Sequence, residues 1–213
     1  MKTLSSPYLS ENLADLAEIY RPEINCCVIK RRVSEDITLF VNQLLAKPRS
    51  LEITQTVSIA SFEAHNLLPT ALHFQGYTDF CNDIAHLIDI FSDLFGLNAV
   101  GLRLGLLDKA MCPRFHVDRV PCRLVCTYGG LGTEWVEDSF VERSKLGRGA
   151  NGLADEESGA ILDLEAIEKM PSFAIGLLKG SAWEGNELNG AVHRSPSLNA
   201  TTPRRLFLSL DFG

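Results

Sequence analysis

The chain has 213 residues, of which 46% are hydrophobic and 22% are charged, and its formal net charge is -7. This composition is ordinary for a folded domain and excludes disorder as the default state of the chain. The excess of acidic groups argues against nonspecific binding to nucleic acid, and no apolar run approaches the roughly 18 residues that a membrane span needs. The sequence therefore predicts a globular protein with a sizeable core.

Neither the N-terminus nor the cysteines indicate an exported protein. The first twenty residues contain early acidic groups and no continuous apolar stretch, so they do not resemble a secretory signal. The six cysteines lack the spacing of a zinc knuckle, and most are predicted to be small core residues. We expect a cytoplasmic protein with neither nucleic acid nor membrane as a partner. The substrate, small molecule or protein, and the oligomeric state stay open.

The first half of the chain is predicted to combine strands and helices. After an irregular N-terminal arm, strands are predicted over residues 24–32 and 51–59. A helix with a serine N-cap separates them, and the clearest helix spans residues 78–95, where apolar side chains recur at helical spacing. Gly96 can end this helix in the left-handed conformation. We assign residues 1–97 as an extension packed on a core.

From residue 98 onward the pattern changes to short strand-like segments punctuated by glycine and proline. Eight such segments are predicted, a number that fits a jelly roll: 99–107, 115–118, 122–129, 133–141, 160–164, 173–180, 190–195 and 204–212. Residues 142–159 bury little and are predicted to form a mobile loop over the mouth of the barrel. The predicted fold class is α+β, mainly β, with a cupin-like core over residues 98–213 and N-terminal helices on its sheet, together forming one compact domain.

A candidate metal site lies in the middle of this predicted core. Residues two apart on a strand project to the same face, so His116 and Asp118 can share one ion. His193 lies between two later strand-like segments, and an all-β fold can bring it back as the third ligand. Two histidines and one carboxylate are the ligand set of non-haem Fe(II) oxygenases, which predicts iron, with zinc as the alternative. Cys112 is either an extra ligand, an oxidisable thiol or a buried thiol without a role.

The order of these motifs resembles the double-stranded β-helix of Fe(II)- and 2-oxoglutarate-dependent dioxygenases. HVD, TYGGLGTEW, AIGLLKG, HRSP and RRLFLSLDF follow one another as in that superfamily, over about half of the chain. The whole sequence is also similar to a bacterial family of uncharacterised proteins with this core, some of whose genes lie near zinc-homeostasis genes. The resemblance implies that 2-oxoglutarate is a cosubstrate, decarboxylated to succinate while an unknown substrate is hydroxylated.

In that superfamily an arginine on the last strand pairs with the far carboxylate of 2-oxoglutarate. Here it resembles Arg204 or Arg205, and strand parity separates the two: Arg204 shares its face with leucines, whereas Arg205 shares a more polar face with Ser209. Arg205 is the preferred candidate because its fork grips a carboxylate with two hydrogen bonds, and Ser209 can hold the same group. Tyr128, or Thr127 if the register is shifted, is predicted to add a hydroxyl.

Two other interpretations use the same residues differently. A cupin-like metal-binding protein without oxygenase activity, linked to zinc homeostasis, would keep His116, Asp118 and His193 but would not need Arg205. A structural or partner-binding jelly roll would have incidental histidines and bind no stoichiometric metal.

Overall fold

The structure, a computed structural model, describes residues 5–48 and 51–213. The strands of this part are β1 (Ser6–Ser10), β2 (Ile24–Ile29), β3 (Leu51–Ser58), β4 (Ala99–Leu107), β5 (Cys122–Gly129), β6 (Glu134–Val136), β7 (Ile167–Lys169), β8 (Ile175–Lys179), β9 (Val192–Arg194) and β10 (Arg205–Phe212). The α-helices are α1 (Glu35–Leu45), α2 (Tyr77–Phe95) and α3 (Asp155–Ser158). Over these two ranges, no helix combines the length and apolarity needed to cross a bilayer. The fold is mixed, with mainly strands.

Seven strands form one large sheet in the order β1-β2-β8-β5-β10-β4-β3. All neighbours are antiparallel except β1 and β2, which are parallel. The first three strands come from the segment before residue 98, so this segment extends the sheet at both edges. The predicted irregular N-terminal arm is wrong for β1, because its pairing with β2 is non-local and leaves no alternating pattern in a five-residue stretch.

The remaining three strands form a small antiparallel sheet in the order β7-β6-β9. Side chains from both sheets, including Val125, Trp135, Met170 and Leu178, make a shared apolar cluster. Two predicted strands are reduced to isolated bridges: residues 115–118 contribute only His116, and residues 160–164 only their second residue. Proline and glycine around both segments limit the ladders that they can form.

Helices α1 and α2 cover one face of the large sheet. The stripe of α2 (Phe80, Ile84, Leu87, Ile88 and Phe91) is buried against alternate residues of β4, β5 and β10. Burying one such side chain contributes about 1.5–3 kcal/mol, so this layer is the main core. Gly96 ends α2 with φ of 64°, as its position after the apolar stripe predicts. The opposite face of the same strands carries the polar groups of the candidate site.

The segment over residues 142–159 has more structure than its composition predicts. It contains short 3-10 turns and α3, and Asp155 is buried where it accepts a hydrogen bond from the backbone N–H of Phe115 at 2.8 Å. Arg114 donates to the carbonyls of Gly152 and Leu153. The prediction of a loop with little to hold it is wrong here, since polar contacts rather than apolar burial tie it to the residues before His116.

Candidate active site

His116 and His193 are brought together by their own backbones. They form an isolated antiparallel bridge, in which each N–H donates to the carbonyl of the other at 3.0 Å. His193 lies on β9, whose other neighbour is β6. Asp118 follows His116 by two residues, so one short extended segment presents both side chains beside β9. Strand pairing therefore assembles ligands that are far apart in sequence.

The side chains of these three residues converge. The Asp118 carboxylate lies between the rings, with Oδ1 at 3.5 Å from Nε2 of His116 and Oδ2 at 3.3 Å from Nε2 of His193. All of the potential ligand atoms lie within 4.8 Å of one another. A divalent ion bound on one side by two imidazoles and a carboxylate fits this spacing. The structure thus brings the predicted triad together, and its binding of metal stays a prediction.

Both imidazoles are oriented by backbone carbonyls. Nδ1 of His116 is 2.8 Å from the carbonyl oxygen of Arg114, and Nδ1 of His193 is 3.1 Å from that of Ala191. When Nδ1–H donates to the carbonyl, Nε2 is the nitrogen that faces Asp118, where it can bind an ion or, when it carries a proton, donate to the carboxylate. Hydrogen bonds of this kind fix the tautomer and the ring orientation of metal-binding histidines.

The electrostatics keep the Asp118 carboxylate ionised. Burial favours its neutral form, but hydrogen bonds with His116 and His193 and the charge of Arg123 hold the pKa of Asp118 well below its usual range. Burial likewise opposes a charge on His116, but its hydrogen bonds to Asp118 and to the Arg114 carbonyl raise its pKa above the ordinary value. In the absence of an ion, the carboxylate is thus held by neighbouring donors, which a metal cation can replace.

Arg123 and Asp211 support the triad and were not predicted from the sequence. Arg123 on β5 donates from Nη1 to Oδ2 of Asp118 at 2.7 Å, and it binds Asp211 on β10 through Nε at 2.7 Å and Nη2 at 3.0 Å. Asp211 therefore anchors the arginine that contacts the candidate ligand Asp118. The available signal was strand parity, since Arg123 and Asp211 occupy the polar face of their strands.

Arg205 is deeply buried, at 2% relative exposure, on the same face of β10 as Asp211. Its Nη2 donates to the hydroxyls of Thr127 at 2.9 Å and Thr133 at 2.6 Å, and its guanidinium lies 4.3 Å from the ring centre of Phe207. Nε has no hydrogen-bond partner, and no Asp or Glu in the described ranges pairs with this side chain. Burial lowers the pKa of Arg205 to about 10, so it is charged at neutral pH.

The alternatives to Arg205 and Thr127 lie on the other face of the sheet. Arg204 donates to the carbonyl of Leu45 at the end of α1. Tyr128 is buried on the helix side, where its hydroxyl donates to Asp83 at 2.6 Å. The suggestion that Tyr128 supplies a hydroxyl to the site is wrong, because the parity of β5 places Thr127, and not Tyr128, next to Arg205.

Thr133 is a site residue that the sequence analysis missed. It follows the glycine-rich turn between β5 and β6, in which Gly130 has φ of 88° and a side chain would collide with the carbonyl of Arg204. A Cβ at Gly132 would likewise lie 1.8 Å from the carbonyl oxygen of Met170. Only glycine permits this close approach, which carries Thr133 back over Arg205. The run of glycines in TYGGLGTEW was the available signal.

A cavity adjoins the triad and is lined by side chains from both sheets and from the segment before His116. Ser209 lies in its wall, buried but without a contact to Arg205. Cys112 is exposed at the cavity and is not part of the metal-ligand cluster found in the described ranges. Arg194, next to His193, pairs with Glu134 at 2.8 Å and with Asp155 at 3.0 Å. The cavity is therefore rich in arginine beside a potential metal site.

The fold is similar to that of solved dioxygenase structures. The rice dioxygenase for auxin oxidation superposes with a TM-score of 0.53 at 10% identity, over 97% of this chain and 82% of that one. Dioxygenase for auxin oxidation 1 of Arabidopsis thaliana, complexed with 2-oxoglutarate, gives 0.51 at 11% identity over 98% and 92% of the two chains. A full-length Neurospora crassa protein in complex with alpha-KG gives 0.50 at 12% identity over 94% and 78%. The predicted resemblance to this superfamily is confirmed as a likeness of fold.

The chain belongs to the family described as protein of unknown function DUF1826, whose profile matches residues 10–211. The similarity to an uncharacterised family, predicted from the whole sequence, is thereby confirmed. No curated protein sequence matches the chain.

Proposed function

We propose that this protein is an Fe(II)- and 2-oxoglutarate-dependent oxygenase, which hydroxylates an organic substrate while 2-oxoglutarate is decarboxylated to succinate. The observation that carries the proposal is Arg205, a buried guanidinium without an acidic partner among the described residues, on the same side of the large sheet as His116, Asp118 and His193. We also infer that the seven-stranded and three-stranded sheets are the two halves of a double-stranded β-helix, the fold expected for such an enzyme.

The residues fit both groups. Two imidazoles and one carboxylate are suitable donors for Fe(II) and leave positions of the ion free for a cosubstrate. Burying a charge without a counter-ion lowers the stability of the fold by several kcal/mol. A bound dicarboxylate would offset this loss by pairing with Arg205. Nη2 of Arg205 already donates to two threonine hydroxyls, whereas Nε has no hydrogen-bond partner. Nε is therefore free to donate to a bound carboxylate.

Each side chain has a definite task in this proposal. His116, Asp118 and His193 hold the ion on one side, and Arg123 keeps the Asp118 carboxylate oriented. Arg205 binds the distal carboxylate of 2-oxoglutarate, and Thr127 and Thr133 fix the guanidinium in place. Apolar neighbours such as Phe207 and Val125 exclude water from the cavity. When bound, iron and 2-oxoglutarate together supply the oxidation by O2.

The test is an anaerobic titration of the purified Fe(II) protein with 2-oxoglutarate, followed by its charge-transfer absorption and, after admission of air, by succinate release. We expect binding in the wild type and a loss of at least about 30-fold in 2-oxoglutarate affinity for Arg205→Gln, because a buried charge-assisted pair is worth about 2–5 kcal/mol. Arg204→Gln, on the other face of the sheet, is the matched control and should bind 2-oxoglutarate as the wild type does.

Stoichiometric metal without 2-oxoglutarate binding would overturn the oxygenase proposal and favour the cupin-like metal-binding alternative, which keeps the triad without needing Arg205. Equal losses in Arg204→Gln and Arg205→Gln would show that the effect is a general disturbance of β10 and would remove the main support for the cosubstrate site.

A further inference from the structure

Arg103 lines the cavity and, like the more deeply placed Arg205, has no acidic partner among the described residues. It lies on β4 directly opposite Ser209 on β10, and directly opposed residues of antiparallel strands share a face, so its side chain stands on the cavity side. It lines the cavity together with Met111 and Phe207. No ion pair joins Arg103 to an acid in residues 5–48 and 51–213, and the six residues outside these ranges include no Asp or Glu.

None of the acidic groups near this face forms an ion pair with Arg103 in the described ranges. Asp211 lies two residues along β10 from the strand partner of Arg103, and both of its oxygens are bound by Arg123. Glu134 and Asp155 both pair with Arg194. Glu52 on β3 shares the face of Arg103 but is exposed and forms no ion pair with it. The half-buried Arg103 side chain therefore faces the cavity without an ion-pair partner among the described residues.

The charges of the proposed centre balance without the charge of Arg103. A divalent iron, the Asp118 carboxylate, the two carboxylates of 2-oxoglutarate and Arg205 together sum to zero, and Arg123 is neutralised by Asp211. Arg103 then contributes one unbalanced positive charge to the wall of the cavity. A carboxylate carries one negative charge at neutral pH, whereas a phosphate monoester carries about 1.5 to 2. One charge matches a monocarboxylate best.

We propose that the primary substrate is a small monocarboxylic acid with an apolar body and that Arg103 binds its carboxylate; this inference rests on the proposed oxygenase function. The fork of a guanidinium matches a carboxylate with two hydrogen bonds. The hydroxyl of Ser209, opposite Arg103, can donate to the same group. Met111, Val125 and Phe207 give the cavity apolar walls for the rest of the molecule.

The experiment measures binding to the anaerobic complex of the protein with Fe(II) and 2-oxoglutarate, using perturbation of its charge-transfer band. The probes are phenylacetate, indole-3-acetate and octanoate, each paired with its neutral carboxamide. We expect at least one acid to bind more tightly than its amide, and Arg103→Gln to weaken that acid by about ten- to hundredfold, as for loss of a charged hydrogen bond. Arg103→Lys should recover part of the affinity. Arg148→Gln, an exposed arginine outside the cavity, is the matched control.

The possible outcomes separate this inference from the proposal beneath it. A wild-type protein that does not bind 2-oxoglutarate overturns the oxygenase function and the substrate inference with it. A protein that binds and decarboxylates 2-oxoglutarate, but binds none of the acids or binds acids and amides equally, overturns the assignment of Arg103 alone. Unchanged acid binding in Arg103→Gln has the same meaning.

Discussion

The two faces of the seven-stranded sheet bury arginine in opposite ways. On the helix side, Arg31 binds both carboxylate oxygens of Asp83, and Tyr128 donates to the same carboxylate. On the cavity side, Arg205 is more deeply buried but contacts only threonine hydroxyls and an aromatic ring. The first charge has a counter-ion in direct contact, and the second forms no ion pair with any residue that the structure describes.

This difference teaches how to separate structural from functional charge in a fold. An arginine that is paired inside the chain contributes to the stability of the fold. Removing either partner leaves the other charge buried without a counter-ion or water to solvate it. An arginine that is equally buried but unpaired makes sense as part of a site that receives an anion. Four predictions, from the largest expected effect to the smallest, test the comparison.

The largest effect is expected for the paired arginine. Arg31→Gln should lower the free energy of unfolding by about 3–5 kcal/mol, because it strands the Asp83 carboxylate at a partly buried position. Urea denaturation gives the value. The double variant Arg31→Met with Asp83→Leu should cost less than Arg31→Gln, since it leaves no unpaired charge. A loss below about 1 kcal/mol in the single variant would contradict a structural role for this pair.

The next effect concerns the triad. His193→Ala should lower metal affinity by more than about 100-fold, beyond the range seen when only a hydrogen-bond partner of a ligand is lost, because it removes one of three ligands. The backbone bridge to His116 does not involve the side chain, so the melting temperature of the metal-free protein should change little. Metal content and competition with a chelator measure the effect. His86→Ala, at an exposed position on α2, is the control, and equal metal affinity in both variants would exclude the site.

A smaller effect is expected for the pair that supports Asp118. Arg123→Gln and Asp211→Asn should each lower metal affinity by about 10- to 100-fold, the usual range for groups that orient a metal ligand without binding the ion. The absorption spectrum of the Co(II)-substituted protein should also shift, because the carboxylate loses its fixed orientation. Arg123→Lys should recover the charge but not the bridge to both carboxylates. Wild-type spectra and affinity in both variants would show that Asp118 needs no such support.

The smallest effect, and the sharpest contrast with Arg31, is predicted for Arg205 in the absence of ligands. Arg205→Gln should change the free energy of unfolding by less than about 1 kcal/mol or raise it, because the substitution removes a buried charge that has no counter-ion. Added 2-oxoglutarate should raise the melting temperature of the Fe(II) wild type but not of this variant. A destabilisation as large as that of Arg31→Gln would mean that Arg205 is a structural charge.

The sequence predicted those helices and strands whose pattern of apolar and polar residues lies within the element itself. The stripe of α2 and Gly96 define that helix within the chain itself, and β4, β5 and β10 have apolar alternation long enough to fix which residues share a face. That parity separates Arg204 from Arg205 without any knowledge of the fold. The order of His116, Asp118 and His193 between strand-like segments was likewise readable from the sequence.

The features that could not be predicted from the sequence depend on contacts between segments that are far apart in the chain. The parallel pairing of β1 exists because β2 lies beside it, and the hydrogen bonds of Asp155 exist because Phe115 lies under it. Arg31 lies in a run of three basic residues at the end of β2, and nothing in that run indicates its pairing with Asp83 on α2. The pair of Arg123 and Asp211 joins strands 88 residues apart, and neither residue is unusual on its own.

The bridge between His116 and His193 bears on which metal the proposed site would acquire in a cell. Main-chain hydrogen bonds alone draw the two imidazoles together, so coordination is not needed to assemble them. A pocket completed by folding is filled afterwards from the pool of available ions, and nitrogen and oxygen donors generally bind Zn2+ more tightly than Fe2+. Under the proposed function, cellular metal supply rather than the polypeptide governs iron occupancy, and we expect protein produced in zinc-rich medium to carry zinc.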